Sequence, residues 1–401
     1  MDEENESSAT LPQFGIGMDA VFSTASYSTR PPVELGFRPW HKPRKQLVRE
    51  QQWGKEIDWL IRNKPEMDAS FRYLGLPGPD LLDIRYIYER FCKESDRELT
   101  FLGFEVSAQA SSPLSDVLNI SLDEVRRLEH VNDRSLILGD DFRLLANPNS
   151  LALDWAAKLG PFDVINIDLT KSAARDDPTS DESLYNAIHH LFGVQQRCSH
   201  PWSLFLTSRV GRDGFSSEAF AKLLDNMQRN VSECIRFRTA LQEEIGMSSV
   251  SPGDAQGWSG RDFFNVIGIA LAKWLLKRAC DMRNKFSVQS SFGYRIVPSS
   301  EYCDMLSIVL RFQPINRLPV DGSGLASTAP AFPSECIQAA KIPPRIAHTR
   351  DIDQELDSDP DLWNRYLENA ATLIEQARYD RFSYLEWAKD SRFQQNEFDA
   401  Q

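Results

Sequence analysis

The sequence predicts an α/β fold: a mixed seven-stranded sheet, parallel except for a terminal antiparallel hairpin, with helices on both faces. Three observations carry that expectation. Apolar runs of strand length alternate with helix-length stretches between positions 71 and 245, and strands joined through helices need right-handed crossovers, which make the strands parallel and bury both sheet faces. The run FDVINIDLT (162–170) is a largely apolar strand that ends at Asp168 before a polar, proline-containing loop, as a strand does where it presents ligand contacts at the carboxyl edge of a sheet. Finally, KFSVQSSFGYRIV (285–297) and YCDMLSIVLRFQPI (302–315) are separated only by a PSSE turn, too short for a crossover, so one of them must run antiparallel.

Residues 1–38 mix acids, Ser, Thr, Pro and Gly without periodicity, the composition of a disordered or extended arm. Within 39–67, Leu47, Trp53, Ile57, Leu60 and Ile61 recur at mainly helical spacing behind a basic start, which reads as an amphipathic helix. The sheet domain is expected over 68–315. Its first strand (71–76) meets the turn LPGP (76–79), and Asp80 is expected to cap the helix LLDIRYIYERFCKE. TFLGFEV (100–106) is the second strand, with a helix around 122–128. SLIL (135–138) is the third and reaches Asp140 and Asp141; Asn149 or Ser150 of the following NPNS should cap the helix at 151–158. FDVINIDL is the fourth strand, followed by the helix ESLYNAIHHLFGVQQR. WSLFLTSRV (202–210) is the fifth, followed by a long helix over 217–245. A helical insertion spans 246–284, and its stripe Phe263, Ile267, Leu271, Trp274 and Leu275 reads as core. A linker (316–344) and an acidic helical tail (345–401) complete the chain.

A chain of 401 residues with 41% hydrophobic and 26% charged residues is not disordered throughout. A net charge of -13 argues against bulk attraction to nucleic acid. The six cysteines show no CxxC spacing and no His at metal-ligand distance, so neither a zinc site nor a disulfide framework is expected, and reduced thiols in a cytoplasm fit best. The opening MDEENESS is not a secretory signal. The longest apolar run, 263–276, contains Asn265 and Lys273 and falls short of the roughly 20 residues a membrane helix needs.

Five strand-helix alternations closing in a short hairpin resemble the sheet of the class I S-adenosylmethionine-dependent methyltransferases, a Rossmann-like family, over about 68–315. The resemblance implies S-adenosylmethionine as cofactor. It places the loop GLPG, Gly75 to Gly78, where the family has a glycine-rich loop against the methionine part. This loop departs from GxGxG, because Pro77 and Pro79 remove N–H donors. It implies that Glu105, ending the second strand, holds the ribose hydroxyls, which a carboxylate can do by accepting two hydrogen bonds. Asp140 and Asp141 then lie near the adenine amino group, and Asp168 is the acid of the fourth strand. The DLTKS that follows differs from the (N/D)PP(Y/F) of amino-methylating enzymes on DNA, so the acceptor and any catalytic residue stay unassigned.

Other candidate chemistry is sparse. His189 and His190 are adjacent on a helix and point about 100° apart, unsuited to sharing a metal. There is no Walker loop and no GxSxG elbow. Arg209 and Arg212, just past the fifth strand, either hold an anionic substrate or are solvated. His200 enters that strand at the edge away from the ligand side. HKPRKQLVR, flanked by Trp40 and Trp53, has the residue types that contact a nucleic-acid backbone, a partner not favoured here. The first functional reading is methyl transfer from S-adenosylmethionine to an unidentified acceptor. The second is a catalytically inactive interaction subunit with a protein partner on the acidic tail or N-terminal arm, resembling accessory components of microbial defence systems. A third, another nucleotide-binding Rossmann-like protein, keeps Glu105 on a ribose.

Overall fold

The strands expected from apolar runs are β1 (Ser70–Gly75), β2 (Glu98–Phe104), β3 (Leu136–Leu138), β4 (Val164–Asp168), β5 (Trp202–Arg209), β6 (Asn284–Tyr294) and β7 (Met305–Pro314), joined by a short β8 (Arg350–Asp351). A computed structural model describes residues 36–64, 70–106, 114–175, 178, 180–297, 299–315 and 332–390. The expected arm up to position 35, most of the linker and the last eleven positions of the tail lie outside the described residues.

One sheet runs in the order β3-β2-β1-β4-β5-β7-β6-β8. The first five in that order are parallel neighbours, and β7 runs antiparallel to both β5 and β6. The expected fold is therefore present with one correction to its strand count. β8 pairs only Phe292 with Arg350 and Gly293 with Asp351, and two residues are too few to leave a period in the sequence. From β1 the chain steps outward to β2 and β3, then returns to place β4 on the other flank of β1. That reversal opens a crevice at the carboxyl ends of the strands.

The N-terminal helix is α1 (Pro43–Val48), continuing through a π-helical stretch, Arg49–Gly54, into α2 (Lys55–Arg62). Then follow α3 (Leu82–Ile87), α4 (Ser115–Arg126), α5 (Leu151–Leu159), α6 (Leu184–Gln195), α7 (Ser217–Glu233), α8 (Ile235–Ile245) and α9 (Gly260–Asp281). The C-terminal part holds α10 (Glu335–Ala339), α11 (Ile342–Ala347), α12 (Ile352–Ser358), α13 (Pro360–Gln376) and α14 (Arg381–Asp390). Period-two burial splits the sheet side chains between two cores. Leu74, Leu102, Leu204 and Leu310 pack with α5, α6, α7 and α9. Phe71, Phe101, Phe205 and Val309 pack with α1 to α4, α12, α13 and α14 on the other face. Helices from both ends of the chain thus share one face. α9 is buried along most of its length, and among the described residues no helix is long and apolar enough to cross a membrane.

Three local expectations change, and the single long helix expected over 217–245 is one of them, since an extended Cys234 breaks it into α7 and α8. Ser150 does cap α5, accepting from the Leu153 amide at 3.1 Å. Asp80 does not cap α3: Leu81 takes that place in a left-handed conformation, φ 52°, and Asp80 turns inward. The six cysteines are also not all reduced. Cys234 and Cys336 form a disulfide across a separation of 102 residues, tying the start of α8 to α10. No spacing rule predicts a pair so far apart; the fold alone brings it together.

At the edge of the sheet away from the crevice, His200 binds the buried Asp163 at 2.8 Å, and Asp163 also accepts from Lys64 at 2.9 Å and from the Arg72 amide at 2.7 Å. Burial, the largest single influence, lowers the His200 pKa, but the hydrogen bonds and charges of Asp163 and Cys198 together outweigh it and lift the value to about 9. A raised folded-state pKa means that the stabilisation is complete below the unfolded value of about 6.5 and is lost as pH rises through 9. The stability gap between the wild type and His200→Asn should therefore be widest below pH 6 and close above pH 9.5, read from urea unfolding at each pH. A gap independent of pH means that His200 carries no linked proton.

Candidate functional site

The crevice between β1 and β4 opens into a cleft of about 1220 Å³. Its floor comes from the turns after four parallel strands: Leu76 to Pro79 after β1, Glu105 after β2, Asp140 and Asp141 after β3, and Asp168 to Ser172 at the end of β4. Residues of α1, Tyr294 at the end of β6, and Trp363 of α13 complete the walls.

The expected residues divide. Gly78, Glu105, Asp140, Asp141 and Asp168 all line this one cleft. Gly78 has φ +67° and open space where a side chain would stand, so the turn needs glycine for its backbone conformation. Gly75 is elsewhere. It closes β1 in the core, where a Cβ would stand 2.5 Å from the Tyr73 hydroxyl, and that packing explains the glycine. Pro77 lies against Gly103 of β2, its Cγ 3.1 Å from where a Cβ would be. Asp140 has no hydrogen-bond or ion-pair partner among the described residues. Asp141 is in use locally, accepting from the Arg143 amide at 2.8 Å and from its guanidinium at 2.6 Å. Those contacts offset burial and hold its carboxyl below the ordinary aspartate value.

Asp168 is bound from an element that sequence reading left apart. Lys45 of α1 donates to its two carboxylate oxygens at 2.7 and 2.6 Å. Lys45 is 5% exposed and also lies 5.0 Å from the centre of the Trp53 ring. Burial would lower its pKa, but Asp168, Tyr294 and Asp83 together outweigh burial and the net direction is upward. One turn on, Arg49 donates to Asp83 at 2.8 Å, and Asp83 accepts from Asn166 of β4, which also donates to the Tyr73 hydroxyl at 3.0 Å. One turn back, the His41 ring meets Asp80 at 2.9 Å, and Tyr379 donates to the other Asp80 oxygen at 2.8 Å. Burial keeps His41 below its ordinary pKa. Arg44 binds Asp353 of α12 at 3.0 Å. The basic stretch HKPRKQLVR is therefore turned largely inward: Lys45 and Arg49 are buried in ion pairs, and His41 in a hydrogen bond to Asp80, which together dock α1 on the cleft.

The remaining sequence candidates sit away from it. Arg209 binds Asp213 at 3.0 Å, and Arg212 donates to the Ala255 carbonyl at 2.6 Å and stands over the Phe263 ring; neither lines the cleft. His189 and His190 are 5.5 Å apart on α6, and no group of metal-ligating side chains occurs among the described residues.

The chemistry of the donor set bears on whether an adenosyl cofactor fits. Adjacent strand ends supply Glu105 and Asp140, with Phe104, Leu114 and Phe142 as apolar surface beside them, which suits a ribose and a purine. The turn after β1 is poorer, since Pro77 and Pro79 lack amide donors, and the nearby cations Lys45 and Arg44 are already held by Asp168 and Asp353. The residues present fit the adenosine half better than the amino-acid half.

A family model described as PP_RS20740-like matches residues 34–389. No curated protein matches the chain. Among solved structures, a putative class I S-adenosylmethionine-dependent methyltransferase from Listeria monocytogenes is 12% identical, with a TM-score of 0.33 over 78% of this chain and 73% of that one. The magnesium protoporphyrin IX methyltransferase of Synechocystis PCC 6803, solved with bound S-adenosylmethionine, is 10% identical, with a TM-score of 0.30 over 70% of this chain and 86% of that one. The geranyl diphosphate C-methyltransferase of Streptomyces coelicolor A3(2) is 11% identical, with a TM-score of 0.28 over 72% of this chain and 88% of that one. Likeness this remote transfers neither ligand nor reaction.

Proposed function

The chain belongs to the PP_RS20740-like family, and from that premise and the chemistry of its cleft we propose that it binds S-adenosylmethionine at the carboxyl edge of its sheet and transfers the methyl group to an acceptor. One observation carries this reading: Glu105 and Asp140 follow the neighbouring strands β2 and β3 on one side of the topological switch point and line a single cleft with Gly78 and Asp141. Glu105 accepts two hydrogen bonds from vicinal hydroxyls, Asp140 accepts from an exocyclic amine, and Phe104 and Phe142 cover an aromatic base. The cofactor, when bound, supplies an activated methyl on a sulfonium. The protein then contributes orientation and exclusion of water, the effects that dominate when two bound partners react in line. Asp168, committed to Lys45, positions α1 over the cleft.

The second reading, an inactive interaction subunit whose acidic C-terminal helices engage a protein partner, is favoured by Pro77 and Pro79 and by the engagement of Asp168. A ligand that binds only the folded state raises stability by RT ln(1 + [L]/Kd), about 1.4 kcal/mol at ten times Kd. S-adenosylhomocysteine should therefore raise the unfolding midpoint in a concentration-dependent way, with ATP giving no comparable rise. An equal rise with ATP favours a general nucleotide site, and no rise with either favours the interaction subunit.

A further inference from the structure

We propose that the part of the cleft beyond β4 binds the oxyanion of a small second ligand, a phosphate or carboxylate group, through Lys171 and Arg175. This deepens the methyl-transfer reading by assigning the class of the acceptor, and it rests on that reading for the role of the opposite end.

The charges of the cleft are sorted along the sheet edge. Four of its cations are cancelled by its own acids, as Arg44, Lys45, Arg49 and Arg143 each hold an aspartate. Beyond those pairs, Asp140 stands past β3, on one side of β1, and Lys171 and Arg175 stand past β4, on the other. Neither side chain has a partner among the described residues, and both are exposed. The whole chain carries a net charge of -13, so two cations without an acidic partner among the described residues, inside a concave site, are where its field turns attractive to an anion.

The loop that carries them is held in place. Between the two cations, Ser172, Ala173 and Ala174 are buried. The Ala173 amide donates to Ser208 Oγ at 2.8 Å, the Arg209 amide to the Lys171 carbonyl at 3.3 Å and the Ser216 amide to the Ala174 carbonyl at 3.0 Å. Lys171 and Arg175 are therefore presented from an anchored backbone, which lowers the ordering cost of binding. A small ligand is favoured over a polyanion, because a nucleic acid long enough to leave the cleft meets the acidic exterior.

The test is calorimetric titration of the full chain with inorganic pyrophosphate, with citrate and with a single-stranded oligonucleotide, in the wild type and in Lys171→Glu/Arg175→Glu. Both positions are exposed, so the double variant should fold, which the unfolding midpoint verifies. Pyrophosphate or citrate should bind the wild type, and affinity should fall about tenfold or more in the variant, as for loss of charge-assisted contacts. Which probe binds tells phosphate from carboxylate. No binding of either, unchanged affinity in the variant, or tighter binding of the oligonucleotide overturns the proposal. S-adenosylhomocysteine is titrated into the same samples. If it fails to bind while the anion does so through Lys171 and Arg175, the cofactor reading falls and the anion site stands.

Discussion

Replacing Asp168 with alanine is expected to cost about 3–5 kcal/mol of folding stability, the effect of leaving a buried charge uncompensated. Lys45 is 5% exposed, and both oxygens of Asp168 hold its ammonium. Without them the cation keeps the face of Trp53, 5.0 Å away, a contact worth about 0.5–2 kcal/mol and too weak to replace a carboxylate. The cost arises from the charge left behind, so removing both partners should restore most of the loss, and Lys45→Met/Asp168→Leu is expected to unfold within about 1 kcal/mol of the wild type. Urea unfolding of the two variants measures this. A single variant that loses less than 1 kcal/mol would show a hydrated pair and an α1 that is not clamped to the cleft.

That ion pair also marks where the sequence stopped being legible. The parallel strands, the hairpin and the crevice follow from apolar runs and from the length of one turn, signals that survive in a single sequence because burial of both sheet faces demands them. Lys45 and Arg49 carried the opposite appearance, since basic residues on a helix usually denote a solvated face. A signal was nonetheless there. Lys45, Arg49, Gln52 and Glu56 recur every three or four positions and so share one side of the helix, and all four are buried. Glu56 accepts from Ser203 and Arg311, and Gln52 donates to the Ser307 carbonyl. For Lys45, Gln52 and Glu56 the partners come from strands over a hundred residues away, so the meaning of that regular polar stripe is clear only once the topology is known. Gly75 illustrates the converse: the same letter suits a cofactor loop or a tight contact with Tyr73, and only coordinates separate the two. The Cys234–Cys336 bridge, 102 residues apart, leaves no local trace at all.

Replacing Glu105 with alanine is expected to weaken cofactor binding by more than about a hundredfold, because hydrogen bonds to a charged group contribute about 1.5–3 kcal/mol each and two are lost together. Stability should change little. Glu105 is only partly buried, and its backbone, with the amide bonded to the Leu138 carbonyl at 3.0 Å, keeps the strand end in place. Asp140→Asn should lower affinity by less, since an amide still offers an acceptor oxygen. A graded loss across the two neighbouring strand ends separates a shared ligand from an isolated carboxylate.

The most direct measurement is calorimetric titration of S-adenosylmethionine into the full chain and into folded Glu105→Ala. Saturable binding at one site per chain in the first, and its near abolition in the second, is the result predicted for a cleft whose carboxylates hold an adenosyl group. No heat in either protein, or equal affinity in both, contradicts it.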